Sequence, residues 1–263
     1  MSIKLLNFTN FLFCSECTST NLLLHEVMTK NRLSGTPLPD GAGLFTCFQK
    51  AGKGQGNHSW HGQAGKNILV SFYFSPTMSI EQQFLFNMAF SLGVRAFVSR
   101  YIVSPVKIKW ANDIYVNHRK IAGILISHHW QQGKTIDTIA GVGININQDR
   151  FPENLPNPTS LLAEDGVYRD ILLLLLQLQK DINVFYQKLK QGEVEALKAE
   201  YSSYLYGLNE WHPYLIRGEK TEARVLGVDD FGRLSLETIH GALHFYDPRD
   251  IQYLYPVGRV DYR

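Results

Sequence analysis

The chain lacks the marks of several large protein classes. It has three cysteines in 263 residues. That odd, widely spaced set argues against a disulfide framework and suits a reducing compartment. Cys14 and Cys17 form a CxxC, but zinc would need two further ligands, so buried free thiols are the simpler expectation. His128–His129 and the pair His58/His61 are likewise read as solvated or packing histidines. Long apolar runs are missing. The longest aliphatic block, residues 171–176, is six residues, far short of the roughly 20 that cross a bilayer. No secretory leader is visible, because Asn7, Thr9 and Asn10 interrupt the first apolar stretch. There is no excess of one charge: 26 basic against 24 acidic residues give +2, which does not point to a nucleic-acid surface. GxxxxGK[ST] is absent, and so are repeats and low-complexity tracts. These absences lead to the expectation of a soluble, cytoplasmic protein.

What is present is a large core. Hydrophobic residues make up 44% and charged residues 19% of the chain, enough for one large domain or a large and a small one. The most informative stretch is 106–127, VKIKWANDIYVNHRKIAGILIS. It opens with β-type alternation that turns Lys107 and Lys109 to one face and Val106 and Ile108 to the other. Trp110, Asn112 and Asp113 interrupt it. Ile114-Tyr115-Val116 resumes it, Asn117-His118 suits a tight turn, and Lys120 opens the return strand. Such a hairpin gathers Trp110, Asn112, Asp113 and Lys120. It is either a ligand wall or a surface hairpin with scattered charges.

Three further stretches have unusual chemistry. Residues 10–14 read as a strand, followed by Thr18-Ser19-Thr20-Asn21 and a helix that Ser19 or Thr20 would cap. Hydroxyls and N–H groups at that helix start either cap it or hold an anion or polar ring. Residues 51–60, AGKGQGNHSW, alternate glycine with polar side chains after a strand over 44–49. This is either a mobile surface loop or a place where backbone N–H groups and Lys53 meet an anion. Residues 135–145 form a strand that ends in Gly141-Val142-Gly143-Ile144-Asn145, where small residues allow close approach and Asn145 can hydrogen-bond a ligand.

The rest is conventional. A strand covers 68–74. Ser79-x-x-Gln82 has the form of a capping box and starts a helix to about Tyr101, with Ile80, Phe84, Met88 and Leu92 at helical spacing. Residues 151–159 are a Pro-rich loop. Helices cover 171–190 and 193–204. From 212 onward five short strands lie in about 50 residues, which suggests a small barrel.

The STN, Gly-rich, KWAND–Lys120–AGIL and GVGIN signals stand in one order, which resembles the biotin–protein ligase (biotin–[acetyl-CoA-carboxylase] ligase) family. The resemblance runs from Phe11 to about Ser160, and GVDDFGRLSLET resembles the family's SH3-like C-terminal unit. It implies an α+β fold: a mixed central sheet with helices, of the class II synthetase-like, biotin–lipoate ligase type, over 1–210, and an SH3-like β-barrel over 211–263. It also implies the chemistry. ATP and biotin give biotinyl-5′-AMP, and biotin passes to a lysine of a biotin carboxyl carrier protein. By resemblance Lys120, Asp113 and Lys53 are catalytic. Ser19, Thr20, Asn21, Gln49, Gly52, Lys53, Lys120 and Gly123 surround biotin. Gln55, Trp60, Asn112, Asp113, Lys120 and Asn145 surround ATP, with Trp60 against adenine and Asp113 holding Mg²⁺ or orienting the amine. Ala111 replaces the family's proline, and Lys53, Gln55 and His58 replace loop arginines. A lysine is a point charge where arginine is a bidentate fork, so the intermediate should be held less firmly. Only 18 residues precede Ser19, so no DNA-binding repressor role is expected. No membrane association is expected either. An edge strand leaves pairing with a second copy, a homodimer, or with the carrier open. The alternatives are a lipoate–protein ligase or lipoyl transferase, and a non-catalytic biotin- or nucleotide-binding module.

Overall fold

Alternating β-branched and aromatic residues favour a pleated, half-buried surface, and they build the centre of this protein. The computed structural model describes residues 3–5, 10–56 and 58–254. Eight strands form one sheet: β1 (Lys4–Leu5), β2 (Phe11–Cys17), β3 (Gly43–Gln49), β6 (Asn67–Phe74), β7 (Val106–Lys109), β8 (Asp113–Val116), β9 (Arg119–Gln131) and β10 (Lys134–Asn145). Their order is β1-β2-β3-β6-β10-β9-β8-β7. The pair β2–β3 is parallel, and the contacts among β6, β10, β9, β8 and β7 are antiparallel, so the sheet is mixed. Two further strands, β4 (Gly52–Lys53) and β5 (Ser59–Trp60), pair only with each other.

Helix α1 (Thr20–Leu33) covers one face, and Leu23, Leu24 and Met28 pack there on Cys14, Cys17, Leu44 and Ile139. The opposite face carries α2 (Gln83–Ser99), α4 (Ile171–Lys190) and α5 (Val194–Ser203), and a short α3 (Leu161–Asp165) precedes α4. Asp170 caps α4 by accepting from the Leu172 and Leu173 amides at 2.8 and 3.3 Å, which satisfies donors that a helix start leaves free. Helices α2 and α4 approach closely at Gly93, where a Cβ would lie 2.6 Å from the Ile182 Cα. Five more strands form an antiparallel sheet: β11 (Trp211–Ile216), β12 (Glu219–Val228), β13 (Leu234–Thr238), β14 (Leu243–Tyr246) and β15 (Ile251–Tyr253). Among the described residues no helix is long and apolar enough to cross a membrane.

Several expectations shift in detail. The helix after Ser79 begins as a 3₁₀ turn over Ile80–Gln82, which leaves Ile80 exposed at 49% and puts only Phe84, Met88 and Leu92 in the core. The Gly-rich stretch is not an open loop but a small hairpin. The strand expected over 10–14 continues to Cys17. The strands at Lys4–Leu5 and the helix Leu161–Asp165 were not anticipated; both are too short for periodicity to reveal. Asn57, read as part of the Gly-rich loop, and Tyr255, read as the end of the last strand, lie outside the described residues.

A buried ion pair fixes α1 to the sheet. Asp137 is fully buried, and Arg32 reaches both its oxygens at 2.7 and 2.8 Å. Removing one partner leaves a buried charge uncompensated. Arg32→Met is therefore expected to lower unfolding stability by about 3 kcal/mol, at the low end for such pairs because the guanidinium is half exposed. Urea denaturation of the variant against the parent protein reads this directly.

Candidate functional site

The site lies where α1 begins, beside the Gly-rich hairpin, over the start of β9 and the paired end of β10. Strand β2 delivers Ser19 as the extended N-cap residue of α1. The Ser19 hydroxyl does not cap the helix; both it and Thr20 are buried at the mouth of a cavity of about 520 Å³. Gln49, at the end of the parallel neighbour β3, accepts at Oε1 from the Thr20 amide (2.7 Å) and hydroxyl (3.1 Å). Ser71 Oγ lies 2.7 Å from Thr20 Oγ1 and 2.5 Å from Asn21 Oδ1. The Asn21 amide also donates to the Leu125 carbonyl at 3.0 Å. Thus the STN residues and Gln49 form one fixed polar end.

The floor is bare backbone. Gly123 and Gly143 face each other across β9 and β10. A Cβ on Gly143 would meet the Trp60 indole at 2.5 Å and one on Gly123 at 3.0 Å, so the indole lies directly on these two glycines. The hairpin places it there, because Gly52 pairs with Trp60 and Lys53 with Ser59. Trp60 Nε1 is buried without a hydrogen-bond partner, and so is Asn145 Oδ1. The other end of the Asn145 amide donates to Thr159 O at 2.9 Å, which leaves Oδ1 as an acceptor for a ligand donor.

Beyond this floor stand the charges. Lys120 Nζ is 2.8 Å from Asp113 Oδ2, with both side chains partly exposed to the cavity, and 6.0 Å from the Trp60 ring centre. Asp113 is the single carboxylate among the described lining residues. The Asn112 amide is turned back onto the Ile124 carbonyl, while the Ile124 amide donates to Asn112 O at 2.9 Å. This clamp holds the KWAND corner to β9. The loop 151–159 is latched to the same place: Lys120 N donates to Asn157 O (2.7 Å) and Thr159 N to Lys120 O (2.9 Å). Lys109 is the cross-strand neighbour of Asp113 and also lines the cavity. Desolvation pushes its pKa down to about 8; Asp113 opposes the shift and Lys120 adds to it.

The cavity brings together Ser19, Thr20, Asn21, Gln49, Lys53, Gln55, Trp60, Asn112, Asp113, Lys120, Gly123 and Asn145. Gly52 is not among its lining residues. It is buried behind the hairpin, where a Cβ would meet the Trp60 carbonyl at 2.8 Å, and it lines an adjoining cavity. Trp110, grouped with the ligand wall in the sequence, also lines the cavity, and its indole, 5% exposed, donates to Gly232 O at 2.9 Å and ties the hairpin to the β12–β13 turn. Sequence reasoning missed Ser71, Tyr115, Phe151, Leu155, Asn157 and the β15 residues Ile251, Gln252 and Tyr253. Lys109 had a visible signal in its alternation with Ile108. The β15 residues had none, since their place depends on how the two sheets meet.

The mixed-sheet fold thus holds one cavity that runs from fixed amides and hydroxyls to a lysine–aspartate pair. Residues 16–145 match the family model of the Biotin/lipoate A/B protein ligase family, and the chain carries that family's domain. It is 26% identical to the bifunctional ligase/repressor BirA of Bacillus subtilis over 88% of this chain and 74% of that protein. It is 27% identical to biotin–protein ligase 2 of Arabidopsis thaliana over 71% of this chain and 54% of that protein. In fold it is similar to the biotin protein ligase from Aquifex aeolicus in complex with biotin and ATP, with TM-score 0.72 and 24% identity over 93% of this chain and 98% of that one.

Proposed function

We propose that the protein is a biotin–protein ligase. A biotin carboxylate oxygen attacks the α-phosphorus of ATP, the bond to the bridging oxygen of the β-phosphate breaks, and pyrophosphate leaves with that electron pair. The product is biotinyl-5′-AMP. A carrier-domain lysine, as the neutral amine, then attacks the acyl carbon and releases AMP. The observation that carries this reading is the single cavity in which the Thr20–Gln49 polar end, the Gly123–Gly143 floor and the Lys120 ammonium follow one another.

The residue roles follow from chemistry. Thr20, Asn21 and Gln49 face the polar ring of biotin. Lys120 stands where two anions must meet, and a fixed cation in a partly desolvated site favours the charge that builds up there. Lys53 adds charge from the hairpin. Asn145 Oδ1 takes a nucleotide N–H donor. Trp60, Gln55 and the hairpin close over the adenylate and keep water from it. Magnesium fits as an ion that arrives on the ATP phosphates. Asp113 would hold it with one carboxylate, the phosphates and water supplying the remaining oxygens, and it would neutralise the leaving pyrophosphate. Residues 1–210 form the catalytic unit and 211–263 the smaller one. The carrier is a biotin carboxyl carrier protein.

The test is incubation with ATP, a biotin carboxyl carrier domain and either labelled biotin or labelled lipoate. Label is expected on the carrier with biotin alone; label from lipoate would favour the lipoyl chemistry. The hairpin gives a second expectation. Lys53 is exposed on it, so trypsin should cut there, and biotin plus ATP should slow that cut by about tenfold if ordering is worth about 1.4 kcal/mol. Equal cutting rates with and without ligands would rule out closure.

A further inference from the structure

We infer that Lys109 holds the diphosphate end of the nucleotide, the part released as pyrophosphate, in a subsite between the KWAND corner and strand β15. The inference rests on the ligase reading and adds to it a residue and a location.

Lys109 lines the cavity at the end where Ile251, Gln252 and Tyr253 close it. Its surroundings are uncharged at contact distance. Nζ donates to Tyr115 Oη at 3.3 Å and lies 4.6 Å from the Tyr253 ring centre and 5.0 Å from that of Tyr115. The nearest acidic group is Asp113, its cross-strand partner, but that carboxylate is engaged by Lys120 at 2.8 Å. Among the described residues Lys109 makes no ion pair. Withdrawing an ammonium from water without a counter-ion is unfavourable, and the downward shift of its pKa reflects that strain. A ligand anion would relieve it.

The order along the wall fits one extended ligand. Lys120 touches the floor beside Gly123, where the reacting carboxylate and α-phosphate meet. Lys109 lies across Asp113 from it, two strands away, on the side remote from the polar end that faces biotin. Lys107 is two residues back on the same face of β7, yet its ammonium donates to Ser203 O at 3.2 Å and does not line the cavity. It is the natural control.

The test compares the wild type with Lys109→Met, Lys109→Arg and Lys107→Met. Lys109→Met is expected to raise the KM for ATP and the half-saturating pyrophosphate in ATP–pyrophosphate exchange by about tenfold or more, the loss of one charged contact. The KM for biotin and the discharge of supplied biotinyl-5′-AMP should stay within about twofold. Lys109→Arg should recover most of the loss, and Lys107→Met should match the wild type. Unchanged ATP and pyrophosphate constants, or a slowed discharge of the adenylate, would overturn the assignment. Equilibrium binding of inorganic pyrophosphate, which needs no turnover, separates this from failure of the ligase reading. Binding lost in Lys109→Met but kept in Lys107→Met supports the subsite whichever acid is activated; equal binding by all four proteins refutes it.

Discussion

Lys120→Ala is expected to lower biotin-dependent adenylate formation by about a thousandfold, the upper range for loss of a group that stabilises transition-state charge. In the free protein Asp113 compensates the Lys120 ammonium at 2.8 Å. Once biotin and ATP are bound, two anions and Asp113 share that cation. Alanine removes that attraction where charge is growing. Lys120→Arg should restore little. The backbone on both sides of Lys120 is latched to Asn157 and Thr159, and its Cε lies against the site of a Gly123 Cβ, 3.5 Å away. A planar guanidinium fork does not place a point charge where the lysine ammonium stands. Rapid-quench measurement of pyrophosphate release reads the chemical step. The thermal transition should change little, because a partly exposed pair contributes at most about 1 kcal/mol.

Gly141→Ala is expected to raise the Kd for biotin by about a hundredfold and to reduce stability by about 2 kcal/mol, the range for losing buried polar contacts. A methyl group at this position would lie 2.1 Å from Asn21 Oδ1 and 2.8 Å from its Cγ. The strand cannot yield, since Gly141 pairs with Ser71 on one side and Leu125 on the other. Asn21 must leave instead, and its contacts with Leu125 O and Ser71 Oγ go with it. The neighbouring Thr20–Ser71 contact then has no lateral support. Isothermal titration with biotin, beside a urea melt, separates lost affinity from lost stability.

Both expectations come from residues that the sequence already marked. KWAND, Lys120 and GVGIN stand out because each interrupts a strand pattern with a residue that strands do not favour. The structure explains those interruptions: the glycines leave a floor for the Trp60 ring, and Lys120 and Asp113 face each other across a hairpin. The strands and the two long helices were also legible, since 2-residue and 3.6-residue periods survive over enough length. What was not legible depends on long-range docking. Trp110 does line the cavity, but the docking of its indole N–H onto the Gly232 carbonyl, more than a hundred residues later, was not legible. Gly52 looked like a ligand cradle, but hairpin pairing turned it toward Trp60 and Gln49. Ile251, Gln252 and Tyr253 reach the cavity only because the second sheet packs against this corner, which no local pattern encodes.

The central claim is that this cavity joins biotin to AMP. Exchange of labelled pyrophosphate into ATP tests it most directly, because exchange requires reversible formation of the adenylate and needs no carrier protein. The account predicts label in ATP only when biotin is present, none with lipoate, and none in Lys120→Ala. Exchange that is independent of biotin, or biotin binding with no exchange, would contradict it.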